Sequence, residues 1–336
     1  MVKTVTIKVS RPCHFKYVGN SGAHIMVHLK TPGPDEGHFS TEEVKRNKDK
    51  PVLAISRIIT LPRNHYKEPP NLAAGFTSLD ISRETPIRAN LVADNITTSE
   101  FRISIETWGN SSLYSASACW IEHAAKARDC VFGQFDTQDM SLAPAISATA
   151  PHSKITKRHA VRKDPVPKKY GKPFLFPRPF EEPPEVVCWL NRLDLSSGDE
   201  RDYKVRAFAD EVSCDDFVAH LNTWDDGELN GAAMFWIAFP KGKGHVDSGS
   251  FSTTSVRKRS DPRPKTTAKV KFKQKFERVP TVLAALNMID AAGNADLRVK
   301  LEIREVNREG FRWTLATWDD STLYAASASW IALGFH

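Results

Sequence analysis

Much that would assign a protein at first sight is missing from this 336-residue chain. No stretch approaches the roughly eighteen consecutive apolar residues that a membrane-crossing helix needs, so no membrane span is expected. The opening residues, MVKTVTIKVSRPCHF, hold no apolar core of signal-peptide length, so a cytoplasmic or non-classically secreted protein is expected. Cysteine is scarce: Cys13, Cys119, Cys130, Cys188 and Cys214 are odd in number and show neither Cys-x-x-Cys nor a zinc spacing. Free thiols are expected, with no disulfide framework, metal or cofactor. No phosphate-binding glycine loop occurs, and no Ser-His-Asp or Cys-His set can be assembled. The paired carboxylates Asp225–Asp226 and Asp319–Asp320 are adjacent on single turns, which does not give the separation across a cleft that glycoside hydrolysis requires. Catalysis is therefore not expected.

What the chain does have is repetition. Its composition is that of a globular protein, 40% hydrophobic and 26% charged with a net charge of +7. FRISIETWGNSSLYSASACWI, FVAHLNTWDDGELNGAAMFWI and FRWTLATWDDSTLYAASASWI each start at a Phe: Phe101, Phe217 and Phe311. A Trp follows seven residues later (Trp108, Trp224, Trp318), and a second Trp twelve beyond that (Trp120, Trp236, Trp330), then Ile. Upstream, Pro70, Pro184 and Pro280 each precede an aspartate by ten residues: Asp80, Asp194 and Asp290. Earlier still stand GHFST, GQFDT and GSFST, at Gly37, Gly133 and Gly249. These fixed offsets define three tandem units, 31–125, 126–243 and 244–336, after an N-terminal segment 1–30. That segment reads either as an unrelated strand, from the alternation in VTIKVSRP, or as the degenerate remnant of an earlier unit.

Phe101, Ile103 and Ile105 alternate with Arg102, Ser104 and Glu106, and VKLEIREV alternates in the same way. Period two with β-forming residues predicts half-buried strands, and helical periodicity is weak throughout. VLAALNMID and VVCWLNRLD are denser apolar runs of a buried strand. Each unit thus reads as five or six antiparallel strands in a small sandwich. The second Trp of each unit follows the strand alternation and is expected in the core. The first stands where a strand meets a turn, the place where a sandwich displays binding residues. The stretches between the opening Gly and the Pro, including the basic runs Lys154–Lys172 and Arg257–Lys275, read as solvated surface loops.

The F-x5-T-W-x-D/N-x2-L-Y…W-I hairpin, with the Gly-x-Phe start and the strand ending in Asp, resembles the H-type lectin domain of snail agglutinins and of the discoidin C-terminus. The resemblance covers nearly the whole chain, once per unit. It implies an all-β fold of three tandem six-stranded antiparallel β-sandwiches, and binding of galactose- or N-acetylgalactosamine-type glycans at the junction of neighbouring protomers in a trimer. It also implies a site made of a basic residue on a middle strand, the first Trp, the residue after it, and a Tyr six beyond. These fall on Arg298, Trp318, Asp319 and Tyr324 in the third unit, on Arg88, Trp108, Gly109 and Tyr114 in the first, and on Lys204, Trp224, Asp225 and Asn230 in the second. Lys204 and Asn230 depart from the pattern, and a weakened or altered second site is expected. If the site needs two neighbouring domains, the units close into an intramolecular pseudo-trimer, or three chains trimerise domain by domain.

On this reading the chain is a multivalent lectin and agglutinin of the cell-adhesion type. Two other classes compete with it. One is a structural β-sandwich protein with degenerate sugar sites. The other binds an anionic polymer, nucleic acid or acidic glycan, through the basic loops. Those loops hold few aromatics for base stacking and no recognised motif, so a nucleic-acid partner is not expected.

Overall fold

The structure is a computed structural model that describes residues 37–44, 51, 53–63, 65–125, 130–140, 169–197, 201–242 and 245–334. The N-terminal segment 1–30 and most of the second unit's long basic stretch lie outside the described residues.

The alternating segments form six strands per repeat. The first repeat holds β1 (His38–Ser40), β2 (Ala54–Thr60), β3 (Asn71–Ile81), β4 (Ile87–Asp94), β5 (Glu100–Glu106) and β6 (Leu113–His123). The second holds β7 (Val131–Asp136), β8 (Lys169–Leu175), β9 (Glu185–Leu195), β10 (Tyr203–Asp210), β11 (Asp216–Asn222) and β12 (Leu229–Phe239). The third holds β13 (Val246–Ser252), β14 (Lys265–Lys271), β15 (Thr281–Ala291), β16 (Leu297–Arg304), β17 (Gly310–Ala316) and β18 (Leu323–Leu333). Strands β8 and β14 fall in stretches that the sequence assigns to loops. Each pairs along one edge with the hairpin strand β11 or β17, which supplies the backbone partners that the basic sequence itself does not announce.

All pairings are antiparallel, but the six-stranded sheets are not confined to single repeats. Each repeat contributes two three-stranded halves that face each other, and each half continues into a half from a neighbour. The sheets run β1-β6-β3-β16-β17-β14, β13-β18-β15-β10-β11-β8 and β2-β5-β4-β9-β12-β7. Strand β3 of the first repeat thus pairs with β16 of the third, β15 of the third with β10 of the second, and β9 of the second with β4 of the first. Three seams close the repeats into a ring within one chain.

The second Trp of each repeat lies in the sandwich core: Trp120, Trp236 and Trp330 are all buried. Each meets the opening Phe of its own repeat edge-on, with ring centroids 5.6 Å apart for Phe101–Trp120, 4.9 Å for Phe217–Trp236 and 5.2 Å for Phe311–Trp330. Such aromatic pairs contribute about 0.5–1.5 kcal/mol beyond their area burial. The Gly-x-Phe start has a packing reason too. A Cβ on Gly133 would stand 2.1 Å from the Trp236 ring, and one on Gly249 would stand 3.2 Å from Trp330. Gly133→Ala should therefore destabilise the protein by about 1–3 kcal/mol through overpacking. Gly249→Ala should cost clearly less, and urea melts of the two variants would show the difference.

The dense runs on β9 and β15 are buried on both faces. Cys188 and Leu190 face the sandwich interior, whereas Val187 and Trp189 join a second apolar cluster with Ala73, Leu283, Ala285 and Ile331. That cluster draws residues from all three repeats and sits where their sheets back onto one another. Gly75, Trp189 and Ala285 hold the same place in β3, β9 and β15, four residues past the strand start. A Cβ on Gly75 would lie 2.5 Å from the Ala285 Cβ and 2.6 Å from the Trp189 Cβ. One indole thus fills space that the other two repeats leave open, and its Nε1 donates to the Ser329 carbonyl at 2.9 Å.

Candidate functional site

At each seam a basic residue of one repeat lies in register with an aspartate of the next: Arg88 opposite Asp194, Lys204 opposite Asp290 and Arg298 opposite Asp80. Directly opposed charges of unlike sign favour cross-strand pairing. This arrangement accounts for two spacings in the sequence, the basic residue twenty positions before the first Trp and the aspartate ten after the Pro. They are the two sides of one seam.

The seam between the third and first repeats has the densest polar network. Arg298 donates from Nε to Asp80 at 3.3 Å, from one terminal nitrogen to Asp320 at 2.6 Å and from the other to Asp296 at 2.7 Å. Asp319 stands 3.8 Å away with a side chain 70% exposed, so its carboxylate remains open to solvent. Burial works against the Arg298 charge, but the hydrogen bond to Asp320 and the fields of Asp296, Asp80 and Asp319 keep its pKa above the usual guanidinium value. Burial pushes the Asp80 carboxyl up, and Arg298 only partly offsets this. Trp318, half-buried, sits at the turn beside this network, where the Ser321 N–H donates to its carbonyl. Two side chains staple the turn to β16: Thr317 Oγ1 donates to the Arg298 carbonyl at 2.7 Å and Ser321 Oγ to the Asp296 carbonyl at 2.6 Å. The residue after the Trp adopts a left-handed backbone in every repeat, with φ of 64° at Gly109, 49° at Asp225 and 51° at Asp319. Gly and Asp are among the few residue types that accept that conformation readily.

The seam between the first and second repeats repeats this plan with fewer carboxylates. Arg88 Nε donates to Asp194 at 3.3 Å, and the guanidinium carbon lies 6.0 Å from the Trp108 ring centroid. Asn110 takes the place of Asp320, with Oδ1 3.5 Å from Arg88. Thr107 and Ser111 staple the turn as Thr317 and Ser321 do. Beside it, Arg192 donates to Asp136 at 2.7 Å, both from the second repeat.

The seam between the second and third repeats departs most. Lys204 is buried and its ammonium turns to Asp226 and to Asp202 at 3.2 Å, with Asp225 3.6 Å away. Burial alone would lower its pKa, but the bonds to Asp226 and Asp202 leave it raised. Gly227 stands where the other turns have Ser, and the Thr223 hydroxyl has no partner among the described residues. The aspartate of this seam, Asp290, instead receives a bidentate guanidinium from Arg259, at 2.6 and 3.1 Å. Arg259 also covers the Tyr324 ring, its guanidinium carbon 4.8 Å from the centroid. Arg257 beside it is buried, donating to the carbonyls of Leu323 and Tyr324 at 2.8 Å each. The start of this basic stretch is therefore folded into the seam and is not the solvated loop that its composition suggests. The desolvated guanidinium is compensated by main-chain carbonyls, as buried charge requires.

The twelve residues singled out by sequence are thus all at seams, but not in the sets that the sequence groups. Tyr114 adjoins Ser115, which pairs with Asp80, so it flanks Arg298 of the third repeat rather than Arg88 of its own. Asn230 donates to Asp194 at 3.4 Å and to Ser196 at 3.1 Å, on the Arg88 seam. Tyr324 lies under Arg259 on the Lys204 seam. The regrouping follows from topology: the last strand of each repeat (β6, β12, β18) lies beside that repeat's aspartate-bearing seam strand (β3, β9, β15), in a different sheet from its own middle basic residue. Sequence reasoning missed the acceptors Asp80, Asp194 and Asp290 as site members, together with Asp296, Asp202 and Arg259. The Pro-to-Asp spacing was a signal for the first three.

A family profile described as the H-type lectin domain matches residues 59–121, 172–239 and 267–333, more than half of the chain. The chain belongs to the H-type lectin domain family. The three lectin repeats carry the family's carbohydrate-binding fold, and the sequence expectation of three tandem copies holds. No curated protein matches this lectin chain. Among solved structures it is similar to recombinant discoidin II of Dictyostelium discoideum, at 17% identity over 46% of this chain and 74% of that one, with a TM-score of 0.24. A likeness of that size carries no weight for the arrangement of the lectin repeats. No helix among the described residues is long and apolar enough to cross a membrane.

Proposed function

We propose that the chain is a multivalent lectin that binds galactose- or N-acetylgalactosamine-type glycans at its three seams. The observation that carries this reading is the meeting, at each seam, of a basic residue and a turn Trp from one repeat with an aspartate from the next. A hexopyranose offers a C–H patch on one face and hydroxyls at its rim. An indole suits the patch because it is large, flat and rigid. A guanidinium held by carboxylates supplies a fixed fork of donors, and charge-assisted hydrogen bonds contribute about 1.5–3 kcal/mol each. The exposed carboxylates of Asp319 and Asp225 accept from adjacent hydroxyls. Ordering and desolvation oppose these gains. One sugar at one seam is therefore expected to bind in the millimolar range, about −4 kcal/mol.

Arg88 and Arg298 stand at seams with an intact Thr-Trp turn, and these two are the principal sites on this reading. The Lys204 seam is altered, because its guanidinium comes from Arg259 and its Tyr ring is covered. The test is a titration with N-acetylgalactosamine followed through the resonances of the turn tryptophans. Trp318→Ala and Arg298→Ala should each remove about half of the binding capacity, leaving the Arg88 seam. If both variants titrate like the parent, the sugar sits elsewhere and the reading fails.

A further inference from the structure

The seam between the second and third repeats opens into a groove of about 630 Å³ that extends from Trp224 along β10 and the first strand of the third repeat. Eight of its twenty lining residues carry a hydroxyl or side-chain amide, including Ser250, Ser252, Ser327 and Asn287. A lining of that kind suits an extended polyhydroxylated ligand better than an apolar one. Of the lining residues, Arg206 is the one cation and Glu185 the one carboxylate. Glu185 is already engaged by Lys273, at 2.9 Å.

Arg206 is exposed and has no carboxylate partner among the described residues, which sets it apart from Arg88, Arg259 and Arg298. It is nevertheless held in place. Its guanidinium carbon lies 4.7 Å from the Phe208 ring centroid. Phe208 in turn stacks on His220, with centroids 4.6 Å apart and planes 12° from parallel. The imidazole is tethered by Asp210, with Nε2 2.7 Å from a carboxylate oxygen. A guanidinium stiffened in this way loses little freedom when it pairs with an anion. The other repeats lack the device: the same position is Asn90 in the first and Lys300 in the third, where Glu302 takes the ammonium at 3.0 Å. Arg206 follows Lys204 by two residues on one strand, so it stands about 7 Å further from the Trp224 turn. That displacement is the reach of a substituent on the neighbouring sugar.

We propose that this groove binds an oligosaccharide bearing an anionic group, a carboxylate or a sulfate ester, with Arg206 pairing with that group. The proposal rests on the carbohydrate reading above and adds to it a ligand class for one seam. The neutral ring lies toward Trp224 and the charge toward Arg206. The carboxylates near Trp224 are drawn toward Lys204 and Arg259 and away from the Arg206 end.

The experiment is a calorimetric titration of the full chain with lactose, with its sialylated derivative and with its 3-O-sulfated derivative. At low salt the anionic forms should bind about tenfold to a hundredfold more tightly than lactose, the range of a charge-assisted bidentate contact. The preference should shrink as salt is added, because Arg206 is exposed. Tighter binding of one derivative alone would identify which anion the groove takes. Arg206→Gln should abolish the preference, whereas Lys300→Gln should leave it in place. The proposal is overturned if the parent binds lactose and its anionic derivatives alike, or if the preference survives Arg206→Gln. Failure of lactose and both derivatives to bind at all would overturn the carbohydrate reading itself, a distinguishable result.

Discussion

Trp189→Ala should destabilise the protein by about 3–5 kcal/mol, the usual cost of emptying a buried aromatic site. For a chain of this size that corresponds to a fall in Tm of about 4–7 °C. The large effect is expected because this indole has no counterpart. It occupies the middle of the ring alone, against Gly75 and Ala285 at the equivalent positions. No neighbouring strand can move in without disturbing a seam, so the cavity persists. The Ser329 carbonyl also loses the indole N–H that it accepts. Thermal and urea melts of the single variant measure the loss. A drop below about 1 kcal/mol would mean that the repeats do not depend on one another through this cluster. The converse change, Gly75→Ala, should also destabilise, because its methyl would overlap the Cβ atoms of Ala285 and Trp189.

The second large effect concerns binding to a surface. With two or three weak sites held rigidly apart, attachment to a glycan-coated surface can exceed single-site affinity by about 10²–10⁴-fold. Removing Trp108 and Trp318 together should abolish that enhancement, leaving only the altered seam. Each Trp→Ala alone should lower surface retention by a smaller but still large factor, because the remaining sites no longer bind in concert. Surface plasmon resonance on a densely galactosylated chip, compared with a sparse one, reads this directly. If the double variant keeps the density dependence of the parent, the turn tryptophans are not the contacts. Neither substitution should unfold the ring, since both side chains stand at half-buried turns outside the core.

The strands were legible because alternation and turn chemistry are local. Phe101, Ile103 and Ile105 announce β5 on their own, and the three Phe-to-Trp spacings mark the aromatic pairs of three cores. Strands β8 and β14 were not legible. Their residues, such as KYGKPFL and KTTAKVK, look like loop until the partner strand is known. The seams were legible only as unexplained spacings. Arg298 and Asp80 are 218 residues apart in sequence, and nothing local links them. For the same reason the residue six beyond each first Trp, Tyr114, Asn230 or Tyr324, was grouped with the wrong partner. Sequence offsets report membership of a repeat, whereas the site is built across two. Arg259 was hidden more deeply, because a basic residue in a Pro-rich stretch looks solvated until its acceptor, Asp290, is found beside it.

Closing the ring within one polypeptide has a consequence for how such a molecule behaves and changes. An assembly of separate subunits falls apart on dilution, and each substitution appears in every copy at once. Here the stoichiometry is written into the chain, so the seams persist at any protein concentration. Each seam can differ from the others: Lys204 stands at one, where Arg88 and Arg298 stand at the other two. Three seams of different chemistry can therefore be carried in fixed proportion, without any need to sort unlike partners during assembly.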